Sequence, residues 1–317
     1  MTAGDRQADV TTGDPRDLND ALLGWARSCG RLLAIRELRD PWAVLVVETM
    51  SQQTQIGRVE ERAPGFLAQF PTPQSMARAP TGELLRAWAG LGYNRRAIAL
   101  REAARRIVDE HGGEVPAALP ELLALPGVGA YTARAVAVRA FGAPVTALDV
   151  NVARVVGRVV GRPDRAPREA LQADADALVD GREPSSWTDA IMDLAVAICV
   201  ARTPRCSLCP IRRWCATGSA VAAPPAEGRT GAGSSGETGR DGGIPARRSS
   251  DRRPFPMTRR WLRGRLVAEL RALDDGEWIR VDGALGDHGP EAVKEALRAL
   301  ERDGIVELDP NRGARLR

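Results

Sequence analysis

A long stretch poor in apolar side chains divides this chain and limits what it can fold into. From about residue 218 to residue 256 the sequence is rich in Gly, Ser, Pro and Arg and offers almost nothing to bury in a core. Such a composition is typical of a flexible linker. The sequence therefore predicts two folded parts, at 18–217 and 257–317, joined by a disordered linker at 218–256 and preceded by a disordered tail at 1–17.

The first part is predicted to be almost wholly helical. Apolar residues recur there at spacings of three and four, as in Leu84, Trp88 and Leu91, whereas the alternation typical of strands is nearly absent. Glycines and prolines mark helix ends, and one helix is predicted to run from about Arg95 to Glu110 and to stop before two glycines. We expect an all-α domain of roughly ten short helices.

The second part contains two amphipathic stretches, WLRGRLVAELRAL and PEAVKEALRALERDG, which predict two helices. They are followed by IVELDPNRGARLR, which predicts a hairpin with its turn at Asn311, Arg312 and Gly313. Two helices and a hairpin resemble a small α+β module of the winged-helix type. A capping domain without a binding role is the alternative.

Nearly all of the positive charge is arginine, since the chain has one lysine, Lys294, and two histidines, His111 and His288. A Schiff-base lysine is therefore excluded before residue 294, and a Ser-His-Asp triad would depend on one of the two histidines. The net charge of +4 is compatible with nucleic acid binding. Because no apolar run approaches the ~20 residues of a membrane span and no export signal begins the chain, we expect a soluble, cytoplasmic protein without a membrane partner.

Four of the five cysteines lie in one short segment with the spacing C-x6-C-x2-C-x5-C: Cys199, Cys206, Cys209 and Cys215. In a cytoplasmic chain, clustered cysteines bind metal more often than they form disulfides. One C-x2-C unit flanked by two single cysteines suits a 4Fe-4S cluster better than zinc, whose sites usually pair two such units. Zinc and unliganded thiols are the alternatives.

The cysteine segment is also basic. No acidic residue occurs between Leu194 and Ala226, while four arginines surround the cysteines: Arg202, Arg205, Arg212 and Arg213. This arrangement predicts a surface that faces DNA phosphates, with an ordinary solvated run of charges as the alternative. The fifth cysteine, Cys29, lies in an apolar helical stretch and is predicted to fill space in the core.

A short turn containing glycine, LPGVG at 125–129, separates two helical stretches. Its glycines permit a tight turn whose backbone N–H groups point outward at the start of the next helix, where the helix dipole also favours an anion. Gly127, Val128 and Gly129 are therefore predicted to grip the DNA backbone in a helix-hairpin-helix motif. A plain turn between two helices fits the same residues.

Two carboxylates are candidates for catalysis. Glu48 follows six apolar or aromatic residues, so burial should keep its proton on longer than usual, which suits an acid that protonates a leaving group. An ionised partner would stabilise developing positive charge, and Asp149, just before an apolar-periodic run, is the candidate. Taken alone, Glu48 fits equally the exit of a helix from the core, and Asp149 fits a helix N-cap.

Together these motifs resemble the helix-hairpin-helix base-excision glycosylases with an iron-sulfur loop, and among them the adenine DNA glycosylases of the MutY type. The resemblance covers about residues 21–216 and rests on ETMSQQTQ (48–55), GLGYNRRA (90–97), LPGVGAYTA (125–133), LDVNVARV (148–155) and IMDLAVAIC (191–199). It implies a mainly α, two-lobed domain with one 4Fe-4S cluster in the loop at 199–215. It also implies a monomer that flips out and removes adenine mispaired with 8-oxoguanine or guanine in double-stranded DNA.

The resemblance further implies roles for individual residues. Glu48 would protonate adenine N7, Asp149 would face the oxocarbenium-like sugar, and Tyr131 and Asn151 would support the transition state and hold Asp149. Four residues would line the adenine pocket: Arg31, Leu33, Arg36 and Asp193. Three residues would wedge into the duplex, with helix-end capping or core contact as the alternative: Gln52, Gln53 and Tyr93.

Tyr131 stands where related strand-cleaving enzymes carry a lysine. Since no lysine precedes Lys294, we predict a monofunctional glycosylase that leaves an intact abasic site. The chain departs from the family pattern in three places: Leu33-Ala-Ile-Arg36 replaces LPWR, Asp149-Val150-Asn151 replaces DGN, and the larger Nudix-like domain that recognises 8-oxoguanine has no counterpart.

Two other functions fit parts of the pattern. One is a mismatch glycosylase that acts on thymine or uracil opposite guanine, against which the QQTQ segment after Glu48 favours adenine. The other is a non-catalytic iron-sulfur regulator that binds DNA. An acid placed beside an apolar helix argues against this second alternative, because a regulator would not need one.

Overall fold

A computed structural model describes residues 15–163, 165–220 and 254–317. The predicted tail and linker lie mostly outside these residues, although the first helix, α1 (Pro15–Cys29), already begins within the predicted tail. The chain forms two compact units that divide after residue 222. No helix among the described residues is long and apolar enough to cross a membrane.

The described part of the first unit is helical, and no strand occurs in it. After α1 it contains α2 (Pro41–Ser51), α3 (Ile56–Gln69), α4 (Pro73–Arg78), α5 (Thr81–Ala87), α6 (Arg95–Glu110), α7 (Leu119–Ala124), α8 (Ala130–Phe141), α9 (Val150–Val160), α10 (Arg168–Leu178), α11 (Pro184–Ala197) and α12 (Ala216–Ala220). Short 3₁₀ helices occur at Ala34–Glu37, Cys206–Leu208 and Arg212–Trp214. The mainly helical prediction is therefore confirmed.

Local sequence accounts for the helix ends. Thr72 and Ser75 form a capping box at the start of α4, in which each side-chain oxygen accepts a hydrogen bond from the other residue's backbone N–H. Helix α6 ends at Glu110, and the two following glycines adopt positive φ angles of 63° and 90°, as their sequence predicts. Gly161 ends α9 in the same left-handed conformation, with φ 71°.

The helices of the first unit pack into two groups. One apolar core joins α1, α9, α10 and α11 through residues such as Leu22 and Trp187, and Trp214 of the cysteine segment packs on it. In the other group α2 packs on α3 and α8, and α4 packs on α6, around buried side chains that include Phe66 and Trp88. The candidate catalytic residues come from both groups, from α2 and α8 and from the start of α9.

The prediction that Cys29 fills space in the core is wrong. Cys29 is the last residue of α1 and is exposed, whereas Leu22 and Leu23 on the preceding turns are buried. The helix continues one turn past the edge of the core, so its last residues face solvent.

The second unit contains α13 (Arg259–Arg271), α14 (Pro290–Arg302) and an antiparallel hairpin of β1 (Val306–Asp309) and β2 (Gly313–Leu316). The predicted order of two helices and a hairpin is observed, but Gly313 belongs to β2 and not to the turn. Gly313 has a φ of 103°, and a Cβ there would lie 2.2 Å from the Ile279 carbonyl oxygen, because residue 279 pairs with Ala314 beside the hairpin.

Candidate active site

Glu48 lies near the end of α2, a helix whose other side chains are almost all buried. Asp40 caps this helix by accepting a hydrogen bond from the Ala43 N–H at 2.8 Å. Only 11% of the Glu48 side chain is exposed. This burial raises the pKa of the Glu48 carboxyl, the positive charge of Arg139 opposes the rise, and the negative charge of Asp189 adds to it. Glu48 therefore keeps its proton to higher pH than an exposed glutamate.

Tyr131 lies in the first turn of α8 and is the side chain on which several acidic groups converge. Its phenol is mostly buried, and burial raises its pKa above the usual range. The negative charges of Glu48, Asp149 and Asp189 act in the same direction, while Arg139 opposes them. Tyr131 is thus a neutral side chain on which the charges of three carboxyl groups act.

Asp149 caps the N-terminus of α9. Its Oδ1 accepts hydrogen bonds from the backbone N–H groups of Asn151 and Val152 at 2.8 and 2.7 Å, and its Oδ2 accepts one from the Asn151 side-chain amide at 2.8 Å. The N-cap interpretation is therefore correct. The three donors also fix the carboxylate in one orientation, which a catalytic role would require.

Asn151 is held in turn by Arg154. The Arg154 guanidinium donates to Asn151 Oδ1 at 3.0 Å, and it also donates to the carbonyl oxygens of Cys199 and Ala195 at 2.9 and 2.8 Å. The side chain that orients Asp149 is thus bound, through one arginine, to the first cysteine of the cysteine segment.

Six side chains of alternating sign form a charge row that starts at Glu48: Glu48, Arg139, Asp189, Arg36, Asp193 and Arg31. Arg139 Nε lies 3.3 Å from Glu48 Oε1, and Arg139 Nη2 lies 2.5 Å from Asp189 Oδ1. Arg36 bridges the two aspartates at 3.1 Å from Asp189 and 2.8 Å from Asp193. Arg31 ends the row at 2.6 Å from Asp193.

The charges of the row stabilise one another. Burial disfavours a charged guanidinium at Arg139, but Asp189 and Glu48 outweigh this effect and raise the pKa of Arg139. Burial also disfavours the Asp193 carboxylate, but hydrogen bonds from Arg36 and Arg31 outweigh it and lower the pKa of Asp193. Because each buried charge has an opposite partner, the row avoids the cost of an isolated ion in the interior.

Gln52 and Gln53 follow α2, and Gln52 is its C-cap residue, so the capping interpretation of Gln52 is correct. Its side-chain amide donates to Thr132 Oγ1 at 3.1 Å. Gln53 and Tyr93 adopt positive φ angles of 56° and 47°, which are unusual for residues other than glycine. Both side chains line one cavity of about 350 Å³, together with Pro126, Gly127 and Val128.

Arg96 ties the loops of these residues together. Its Nη1 donates to the carbonyl oxygens of Thr49, Met50 and Gln52, and its Nη2 donates to those of Leu91 and Gly92. One half-buried guanidinium thus fastens the loop after α2 to the loop before α6, which explains how two residues with unfavourable backbone angles are kept in place.

The glycine-containing turn between α7 and α8 is tightly packed. Gly127 has a φ of 78°, and a Cβ there would lie 2.8 Å from the Ala99 Cβ, so this position requires glycine. The Val128 N–H donates to the Leu125 carbonyl, and Gly129 precedes the first turn of α8. The helix-hairpin-helix geometry expected from LPGVG is present.

The four cysteines of the segment line one small cavity, together with Arg158. Arg158 Nη1 lies 3.3 Å from Cys199 Sγ, and the Gly218 N–H lies 3.3 Å from Cys215 Sγ. In the part of the chain that the structure describes, no three His, Cys, Asp or Glu side chains are arranged to hold a single metal ion. The thiols therefore surround a space and do not converge on one point.

Three comparisons with known proteins agree with this geometry. Residues 46–180 match the family model of the HhH-GPD superfamily base excision DNA repair proteins. Adenine DNA glycosylase of Mycobacterium tuberculosis strain H37Rv is 41% identical over 311 residues, which cover 93% of this chain and 94% of that protein. This chain belongs to the adenine DNA glycosylases. Base excision repair and glycosylase chemistry follow from that membership.

Solved structures give the same fold for this adenine DNA glycosylase family member. A thermostable thymine-DNA glycosylase has a TM-score of 0.61 at 29% identity and matches 65% of this chain and 96% of its own. A trapped endonuclease III–DNA covalent intermediate has a TM-score of 0.56 at 25% identity and matches 64% of this chain and 95% of its own. The helix-hairpin-helix glycosylase fold is therefore confirmed, and its structural relatives include a complex with DNA.

The charge row contains three of the four residues expected to line the adenine pocket of a family member, Arg31, Arg36 and Asp193. Leu33 precedes the 3₁₀ helix Ala34–Glu37, is half-buried and is not part of the row. Sequence analysis missed Arg139 and Asp189. Their signal was a charged residue among the apolar residues of a helical stretch, which is rare unless the charge is paired in the interior.

Proposed function

We propose that this glycosylase hydrolyses the N-glycosidic bond of adenine mispaired with 8-oxoguanine or guanine in double-stranded DNA. The observation that carries the proposal is that Glu48 and Asp149 both act on the neutral side chain of Tyr131. Cleavage of this bond needs an acid for the departing base and a negative charge for the sugar. Two carboxyl groups in different environments supply one of each.

Glu48 is the proposed acid. It donates a proton to N7 of the flipped adenine, which makes the base a better leaving group, and it then helps to handle the attacking water. The raised pKa of Glu48 supports this role, because the proton must be present on the carboxyl near neutral pH.

Asp149 is the proposed carboxylate that faces the sugar. As the bond to the base breaks, positive charge develops on the sugar, and Asp149 stabilises it electrostatically or by transient covalent capture. Asn151 holds the Asp149 carboxylate through its backbone and side-chain N–H groups. The nearby Tyr131 side chain is neutral and adds no charge of its own to the site.

The remaining predicted residues bind the substrate in this proposal. Arg31, Leu33, Arg36 and Asp193 line the adenine pocket. Gln52, Gln53 and Tyr93 fill the gap that the flipped base leaves in the duplex. The turn at Gly127, Val128 and Gly129 binds the DNA backbone at the N-terminus of α8.

We infer that Cys199, Cys206, Cys209 and Cys215 hold one 4Fe-4S cluster. Two observations support a cluster: the four cysteines line one cavity, and a single C-x2-C unit is flanked by two single cysteines. The Arg158 guanidinium, 3.3 Å from Cys199 Sγ, can donate a hydrogen bond to a ligand sulfur of the cluster. A bound cluster cross-links the segment whose exposed Arg202, Arg205 and Arg213 face DNA phosphates.

The second unit is proposed to be a winged-helix-like module, on the basis of its two helices, its hairpin and the pairing of Ile279 with Ala314. The match to the mycobacterial adenine DNA glycosylase covers 93% of this chain, so it extends into the second unit.

The test is a panel of duplexes carrying adenine opposite 8-oxoguanine, guanine or cytosine, and thymine or uracil opposite guanine. We expect the protein to release adenine opposite 8-oxoguanine and guanine, and Glu48→Gln to lower the rate by at least about 100-fold, as expected for loss of a general acid. Release of thymine or uracil instead would favour a mismatch glycosylase that acts on these bases opposite guanine, a function that the likeness to a thymine-DNA glycosylase supports. Release of no base from any duplex would overturn the proposal and favour a non-catalytic iron-sulfur regulator that binds DNA.

A further inference from the structure

Arg139 links the two carboxyl groups at the start of the charge row, and it does so unequally. Asp189 accepts two hydrogen bonds from Arg139, at 2.5 Å from Nη2 and 3.3 Å from Nη1. Glu48 has one contact, at 3.3 Å from Nε. Asp189 has a second cation, Arg36, at 3.1 Å, whereas the positive charge that acts on Glu48 among the described residues is that of Arg139.

We propose that Arg139 is a positioning residue that tunes Glu48 as an acid. Its single contact with Glu48 limits how firmly that carboxyl holds its proton. Its two hydrogen bonds to Asp189 hold in place the neighbouring carboxylate, whose negative charge also acts on Glu48. The inference rests on the proposed function, in which Glu48 is the acid.

The physical reason lies in three effects on Glu48. Burial and the negative charge of Asp189 raise the pKa of Glu48, and Arg139 lowers it. An acid whose pKa is raised too far holds its proton and does not pass it to the base. A buried carboxyl beside a second carboxyl thus needs one nearby cation to remain a usable acid near neutral pH.

Few other groups act on Glu48. The titratable and charged groups around it come from α8, α11, the 3₁₀ helix and the start of α9: Arg139, Tyr131, Asp189, Arg36 and Asp149. Helices α3 and α6 also pack on α2, but Arg58 of α3 donates to the Gly90 carbonyl and Arg96 of α6 donates to carbonyls at the end of α2.

Two substitutions therefore have opposite effects. Arg139→Met removes the positive charge, so the pKa of Glu48 rises and adenine excision persists to higher pH. Asp189→Asn removes the negative neighbour and leaves Arg139 to Glu48, so the pKa of Glu48 falls and excision is lost at lower pH. For a close charge the expected shift is about one pH unit or more, which is about tenfold in rate on the alkaline side.

The experiment combines two measurements on the full chain. Single-turnover adenine excision is measured from about pH 5 to pH 9, a range that brackets ordinary and raised carboxyl pKa values. The Glu48 carboxyl is titrated without DNA by carbon-13 NMR and is assigned by the loss of its signal in Glu48→Gln. Arg134→Met is the matched control, because Arg134 is also on α8 but pairs with Asp176 at 2.8 Å, away from the charge row.

We expect the Glu48 midpoint to move up in Arg139→Met, less in Arg139→Lys, down in Asp189→Asn and not at all in Arg134→Met. An unchanged midpoint, or a shift in the same direction in both charge-row variants, would overturn the inference. If Arg139→Met does not fold, Arg139→Lys and Asp189→Asn decide the matter. If the midpoints move as expected but wild type releases no adenine, the proposed function fails and the tuning of Glu48 by Arg139 stands.

Discussion

Asp149 has two tasks that depend on the same two oxygen atoms. It caps α9 by accepting backbone hydrogen bonds, and in the proposed reaction it presents a negative charge to the sugar. Asparagine caps helices about as well as aspartate but carries no charge. The two tasks can therefore be separated by one isosteric substitution.

We expect Asp149→Asn to keep the backbone cap but to lose the hydrogen bond from the Asn151 side chain, which lowers the free energy of unfolding by about 1 kcal/mol. The excision rate should fall by about 100-fold or more, because the stabilising charge is lost. Asp149→Ala is the control and should cost about 1 kcal/mol more than Asp149→Asn, because it also loses the cap. Urea unfolding and single-turnover excision measure the two effects. Equal excision by Asp149→Asn and wild type would rule out the charged role of Asp149.

The tyrosine at position 131 predicts that the DNA strand is not cut. Tyrosine cannot form a Schiff base, and the chain has no lysine before Lys294. During adenine release we therefore expect borohydride to trap no covalent protein–DNA adduct, and the product strand to stay intact until treated with alkali. A trapped adduct in wild type would show that another amine attacks the sugar. Tyr131→Lys tests whether a lysine at this position is enough to produce the adduct.

At the scale of single residues, the sequence predicted the two candidate catalytic carboxyl groups but not the charged residues that pair in the interior. Glu48 and Asp149 were identified because Glu48 directly follows an apolar run and Asp149 directly precedes one. Arg139 and Asp189 were missed because their ion-pair partners lie about 50 to 150 positions away in the sequence, which periodicity does not reveal. Cys29 was misplaced because the pattern shows which face of a helix is apolar but not where the core beneath it ends.

At the scale of elements, strong local signals gave accurate boundaries and weak ones did not. The helix Arg95–Glu110 agrees with its prediction, because two glycines end it and a long apolar stripe defines it. The turn of the C-terminal hairpin was predicted one residue late. Gly313 is required by the close approach of Ile279 and not by the turn, and that contact is not visible in the local sequence.

The cysteine segment is predicted to lose its cluster when one ligand is replaced. Cys206→Ser should lower the iron and sulfide content of the purified protein together, since one of four ligands is lost. Cys29→Ser is the matched control, because Cys29 is exposed at the end of α1, and it should leave both contents unchanged. Bound zinc in wild type, or equal iron in both variants, would contradict a 4Fe-4S cluster.

At the scale of the whole molecule, the division into two units follows the composition of the stretch at 218–256. All proposed catalytic, pocket and cysteine residues lie in the first unit. The order of helices and hairpin in the second unit was also predictable from pattern. Its role was not, because a mixed-charge surface such as that of α14 does not define a partner.

A chain truncated after residue 222 tests this division. We expect it to fold and to excise adenine opposite guanine within about fivefold of the full chain, which is less than about 1 kcal/mol of transition-state stabilisation. The ratio of rates for adenine opposite 8-oxoguanine and opposite guanine is then compared between the two chains. A lower ratio in the truncated chain would assign recognition of the opposite base to the second unit. Loss of all excision would mean that the first unit does not work alone.

The charge row has a consequence for how such a pocket can change. Each inner member stands between two opposite charges, so a single replacement changes the net charge of the row and takes one opposite partner from each neighbour. A joint replacement of adjacent members, such as Arg36 with Asp193, removes a cation and an anion together. Variants of the proposed pocket with a new base specificity are therefore expected among such double replacements, which leave the net charge of the row unchanged.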